Sequence, residues 1–298
     1  MTLALDFPLG RPFTPAALVR RQRPLPPGAT VLVAANDTIR ADQAIAEYRV
    51  TNGQVVKILA GLTGRIYEVA PERHVAIESV ATIDHGVIGL GGAAAGPLAV
   101  LPRGESPAVA PVPRGAVILF PHQAPLMLLQ RAAGAGAAGV IAASASAREL
   151  EAIARADLSA ALDGTAPEAP RAPITVVLTE GLGSASMSTA IYQFLSTRLH
   201  SVVLLHGATN PGRGVRPEIL MTTPSGAVPA QMPAESALVP GAQVAVAAGG
   251  RRGARGTIMR AFASPQVTEG GIRAPSVLVR FDDGAVATVP VHALDRIG

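Results

Sequence analysis

The chain has 298 residues, enough for more than one hydrophobic core, and about half of them are apolar. Charged residues make up only 15%, the net charge is +4, and there is no cysteine. Composition therefore indicates a globular chain and excludes disulfides, thiolate metal centres and thiol catalysis.

The six histidines show no HxxxH or HxH spacing, so no metal site is expected. MTLALDFPLG carries Asp6 and no basic stretch, and no uncharged run reaches a convincing membrane span. These features predict a soluble cytoplasmic protein with no membrane partner. The basic balance is either a surplus of surface arginines or a face for a polyanion.

Residues 1–28 hold six prolines and four arginines and read as an irregular arm, with room for one helical turn at PAALVRR. From 29 to 80, short apolar runs alternate with turn signals, which predicts short strands. ATVLVAANDTIRADQAIAEYRV is followed by ILAGLTGRIYEV, with Gly61 and Gly64 bracketing a tight turn. This order resembles the half-motifs of the barrel-sandwich hybrid fold of lipoyl and biotinyl carrier domains. The resemblance implies fold only, because Lys57 in VVKIL lacks the flanks of a modified carrier lysine. Glycine-rich HGVIGLGGAAAGPLAVL (85–101) reads as a loop-and-strand connection, and Pro-rich 102–115 as a boundary.

Four apolar runs follow: GAVILF (115–120), GVIAAS (139–144), PITVVLTE (173–180) and SVVLLHG (201–207). Helical segments at 125–137, 147–162 and 186–199 separate them. Such runs suit strands buried on both faces, and the helices supply the crossovers of a parallel sheet. Met127, Leu128, Leu129 and Ala132 are expected on one face of the first helix; Ser186 or Ser188 is expected to cap the third. AAGAGAAGVI within 115–144 also resembles the swivelling β/α domains of the protease-associated type. Residues 208–240 read as irregular apart from a strand at EILMT.

GAQVAVAAGGRRGARGTIMRAF and PSVLVRFDDGAVATVPVHALDRI read as two hairpins, with Asp282–Asp283–Gly284 as the second turn. Gly241, Val244, Val246, Gly250, Gly253 and Gly256, followed by Ile258, resemble the pattern of KOW-type small barrels. The resemblance implies a barrel that binds RNA or protein, or serves structurally. The expected fold is thus a multidomain α/β chain. After the arm 1–28 come a β-rich barrel-sandwich-like module at 29–108, a parallel-sheet α/β domain at 109–222 and a small β-barrel at 236–298.

In an open α/β sheet, ligands collect at the carboxyl ends of the strands. Those loops offer His122, then Thr179, Glu180, Gly181, Gly183 and Ser184, then Asn210, Arg213 and Arg216. The Gly-x-Gly loop before a helix points to a small anionic ligand. For Arg216 an internal contact with Glu218 is the better reading than a phosphate. Arg251, Arg252 and Arg255 in one turn point to phosphate contacts with RNA. No GxSxG elbow, Walker loop or HExxH pattern occurs, so no catalytic residue or cofactor is assigned. The leading expectation is a non-catalytic binding or assembly factor whose partner is RNA or a protein complex. The alternatives are a small-molecule enzyme or sensor at the sheet edge, and a structural subunit of a larger complex.

Overall fold

A computed structural model describes residues 6–7, 14–51, 53–101, 106–107, 109–162, 172–211, 215–223, 236–268 and 271–297. The fold is sheet-rich, with a large mixed sheet and a separate five-stranded C-terminal sheet. The first strands are β1 (Asp6–Phe7), β2 (Thr14–Pro24), β3 (Thr30–Val31) and β4 (Thr38–Ile39). They are followed by β5 (Ala44–Arg49), β6 (Val55–Leu59), β7 (Gly64–Ala70) and β8 (His74–His85). β3, β5 and β6 form a three-stranded antiparallel sheet; β4 pairs with β7, and β7 with β8. Ile39, Ile45, Leu62, Ile66, Val75 and Ile77 share one core there.

The arm is not irregular throughout. Residues 14–24 run antiparallel along β8, with Thr14 opposite Ile83 and Pro24 opposite His74. Ala17 and Val19 are buried, while Leu18 and Arg20 face out. Among the described residues β2 pairs only with β8, as an edge strand does. Edge strands accommodate arginine and terminal proline, the residues that hide the alternation in sequence.

The middle of the chain forms β9 (Ile88–Leu90), β10 (Ala93–Val100), β11 (Val117–Gln123) and α1 (Leu126–Ala135). β12 (Gly139–Ala145), α2 (Ala147–Ala154), α3 (Leu158–Leu162) and β13 (Thr175–Leu182) come next. α4 (Thr189–Ser196), β14 (Val202–His206) and β15 (Glu218–Thr222) complete it. β10, β11, β12 and β13 are adjacent and parallel. Every residue of β12 is buried, as its continuous apolar run requires.

β14 departs from the expected parallel order. It lies antiparallel between β10 and β15, and β15 is antiparallel to β8. α4 spans eight residues, about 12 Å. With the loops on either side it returns the chain to the amino ends of β11 to β13: Val202 lies opposite Pro97, one residue before the Leu98–Val117 pair, and β14 then runs on away from that edge. β8 continues through Gly86 and Val87 into β9, which pairs with β13. One continuous segment therefore pairs with β15 at one end and β13 at the other, and the sheet closes on itself. Met187, Ile191 and Leu195 share a core with residues of β10 to β15.

The helices are shorter than the sequence suggests. Arg155, in the left-handed region at φ 52°, ends α2, and Asp157 Oδ1 accepts from the Ser159 N–H to start α3. In α1 Leu128, Leu129 and Ala132 are buried, but Met127 is exposed. Ser188 caps α4 by accepting from the Ile191 N–H.

The last strands are β16 (Ser236–Ala237), β17 (Gln243–Val246), β18 (Arg255–Ala261) and β19 (Gln266–Val267). β20 (Arg273–Ala274), β21 (Ser276–Phe281), β22 (Val286–Pro290) and β23 (Leu294–Arg296) follow, with a 3-10 turn at Val291–Ala293 before β23. β16 pairs with β1, and β19 with β20. The C-terminal sheet has the order β22–β21–β18–β17–β23, all antiparallel. Gly284, at φ 83°, closes the expected Asp282–Asp283–Gly284 turn. Val244, Val246, Ile258, Val279 and Phe281 of this sheet share one core with α1, α2 and the outer faces of β12 and β13.

Candidate functional site at the seam between the central sheet and the C-terminal sheet

The loop after β13 is where the sequence is most pointed. Thr179 and Glu180 are both buried, Glu180 at 1% exposure. The Glu180 Oε1 accepts from the Ser188 N–H at 2.8 Å. The start of α4, where an external anion was expected, thus already holds a carboxylate of the chain itself. Gly181 sits at φ 80° against Val87, where an added Cβ would lie 2.8 Å from Cγ1. Gly183, at φ 123°, faces open space, and Ser184 is exposed.

The other Glu180 oxygen, Oε2, is ion-paired with Arg252, which reaches in from the loop between β17 and β18. A second ion pair crosses the same seam: Arg216 Nη1 donates to Asp295 Oδ1 at 2.7 Å. The expected local pairing of Arg216 with Glu218 does not form. Glu218 instead accepts from Arg21 of β2 at 2.6 and 2.7 Å.

Asp84 lies beside these pairs and is 3% exposed. Burial pushes its carboxyl well above the usual range; Arg216 opposes this, and Glu180 and Asp295 add to it. Burial also raises Glu180, against the pull of the Ser188 N–H and Arg252. Burial pushes His85 and His292 down to about 4, and the charge of Arg216 adds to the effect on each.

Two cavities open along this seam. One, of about 170 Å³, is lined by Asp84, His85, Thr179, Ile191, Arg216, Arg252 and Asp295. The other, of about 310 Å³, is lined by Leu182, Gly183, Ala248, Thr268, Ile272, Val289 and His292 among others. Val87 and Val246 belong to both walls.

The remaining candidates lie elsewhere. His122 is exposed at the end of β11, its ring edge-on to Phe120. Because β14 is antiparallel, its carboxyl end points away from this edge. Asn210, beyond that end, forms a backbone bridge with Val215. Arg213 lies outside the described residues. Arg251 stacks over Phe281 at 4.7 Å and pairs with Asp283 at 3.0 Å. Arg255 is exposed, and no carboxylate among the described residues pairs with it.

Sequence reasoning missed Asp84, Asp295, Arg260 and Arg280. The available signal for Asp84 was a charge inside the apolar run of β8. Arg260 lies over the Phe262 ring at 4.8 Å, and Arg280 stands exposed opposite Thr257. Among the described residues no group of three His, Asp or Glu could hold a metal ion, and no helix is long and apolar enough to cross a membrane. The chain matches no family model, no curated protein and no solved structure.

Proposed function

We propose that the chain is a non-catalytic binding factor whose C-terminal part, a KOW-like barrel, contacts structured RNA in the cytoplasm. The observation that carries this reading is the outer face of the C-terminal sheet. Arg255, Arg260 and Arg280 stand exposed there, none with a carboxylate partner among the described residues. Arg280 sits between Thr257 and Val286 across the strands, and Arg255 lies two residues from Thr257 on β18. Residues 241–298 hold seven arginines against four carboxylates, most of the net charge of the chain. Arg251 and Arg252 are spent on Asp283 and Glu180, so phosphate contact moves from the turn to this face. Aromatic residues are few, which favours backbone contact over base stacking.

The test is fluorescence anisotropy with a structured RNA over a range of salt. The triple variant Arg255→Gln, Arg260→Gln, Arg280→Gln should keep the fold, since exposed substitutions cost about 0.5 kcal/mol or less each. Its affinity should fall at least about tenfold, and its salt slope should flatten by roughly two to three units. Arg251→Gln with Arg252→Gln should change binding less. An unmodified chain with no salt-dependent RNA binding at low ionic strength overturns the proposal.

A further inference from the structure

We infer that the seam between the central sheet and the C-terminal barrel binds a small organic cation, a primary amine with a neighbouring acceptor oxygen and an apolar body. The inference starts from a count of buried charge. Three carboxylates meet there, Asp84, Glu180 and Asp295, against two guanidinium groups, Arg216 and Arg252. Glu180 is taken by Arg252 and Asp295 by Arg216, which leaves Asp84 as the unmatched carboxylate. Its Oδ2 has no hydrogen-bond partner among the described residues, and neither has the Nε of Arg216. Both residues are more than nine-tenths buried and line the same cavity of about 170 Å³. A buried charge and a buried donor left unpaired are costly.

An ammonium group answers the first of these and an acceptor oxygen the second. A proton on Asp84 neutralises the carboxylate but leaves the Arg216 Nε–H unmet. The histidine on the same wall, His85, stays neutral down to about pH 4 and supplies no competing cation. The apolar body has a place to go. The wall formed by Val87 and Val246 is shared with the cavity of about 310 Å³, whose sides include Leu182, Ile272, Val289 and Ala293. The combined space suits a metabolite-sized ligand. An anion is disfavoured, because Glu180 already occupies the start of α4.

Titration calorimetry on the full chain tests this, with phenylalaninamide as the probe at about pH 6.5, where an α-ammonium is protonated. Saturable binding is expected. 2-Phenylethylamine, without the acceptor, should bind about tenfold more weakly. 3-Phenylpropanamide, without the amine, and 3-phenylpropionate, the anion, should not saturate at millimolar concentration. Asp84→Asn should weaken phenylalaninamide at least tenfold without lowering the melting temperature of the free chain. If that variant does not fold, Leu182→Trp, on the wall of the larger cavity, should weaken the same probe at least tenfold. Absence of saturation by phenylalaninamide, equal binding of 3-phenylpropionate, or affinity unchanged in these variants overturns the inference.

Discussion

Replacing Arg216 by Met keeps most of the side-chain volume and removes a guanidinium that is 3% exposed. The change breaks the 2.7 Å bond to Asp295 and removes the opposing charge that faces Asp84. Removing one partner of a buried ion pair costs about 3–5 kcal/mol, because the other charge stays behind. Asp295 is 22% exposed, so water screens part of its loss. The lower end of the range, about 3 kcal/mol, is therefore expected. For a chain of this size each kcal/mol lowers the melting temperature by roughly 2–4 °C, so a fall of roughly 6–12 °C should appear by calorimetry. Adding Asp295→Asn removes the stranded charge, and the double variant should recover at least about 1 kcal/mol of coupling in urea unfolding. A single variant within about 1 kcal/mol of the unmodified chain, or a double variant no better than the single, would refute a stabilising pair between Arg216 and Asp295 across the seam.

Gly207→Ala should cost about 2 kcal/mol or more in thermal unfolding, since an ideal Cβ there lies 1.9 Å from the Leu90 carbonyl oxygen. Gly92→Ala, which opens onto free space, should stay within about 0.5 kcal/mol. His85, His206 and His292, all pushed down by burial, should titrate near pH 4 by NMR. Their contribution to stability is present above pH 6.5 and is lost as the pH falls towards 4, because the unfolded chain binds the protons first. Asp84 acts in the opposite sense. Its folded carboxyl is raised, so the stability it contributes is present below the ordinary carboxylate pKa of 3.8 and declines as the pH climbs above it. Asp84→Asn should flatten that decline in urea unfolding measured across pH.

Long Val/Ile/Leu runs announced β11, β12 and β13, because a strand buried on both faces needs apolar residues at every position. The direction of β14 was not legible. A buried strand carries the same residue pattern whether it runs parallel or antiparallel, and nothing in VVLLH distinguishes the two. Gly86, Gly89 and Gly207 stand where other parts of the backbone come close. The approaching atoms belong to the chain itself: a Cβ at Gly89 would lie 2.6 Å from the Gly207 oxygen. β9 and β10 looked like a connection because Gly and Ala dominate them, yet their hydrogen bonds run to β13, β11 and β14. Among the site residues, the exposed Arg turn was readable as a loop. Its partners were not, since Glu180 lies 72 residues from Arg252 and Asp295 lies 79 from Arg216.

One contact changes the meaning of two sequence features together. Glu180 and Arg252 were candidates for separate ligands, an anion at the sheet edge and a phosphate at the turn between β17 and β18. Paired with each other, they neutralise both sites and fasten the C-terminal sheet to the central one. External ligands are then favoured only where internal pairing is incomplete. Inside the seam that place is Asp84, and the deficit calls for a cation. On the outer face of the C-terminal sheet it is Arg255, Arg260 and Arg280, and the excess calls for an anion. The two deficits have opposite sign and different exposure, so salt should separate them. Binding at the exposed arginines weakens steeply as salt rises. Binding at the buried carboxylate, shielded from mobile ions by the seam, changes little over the same range.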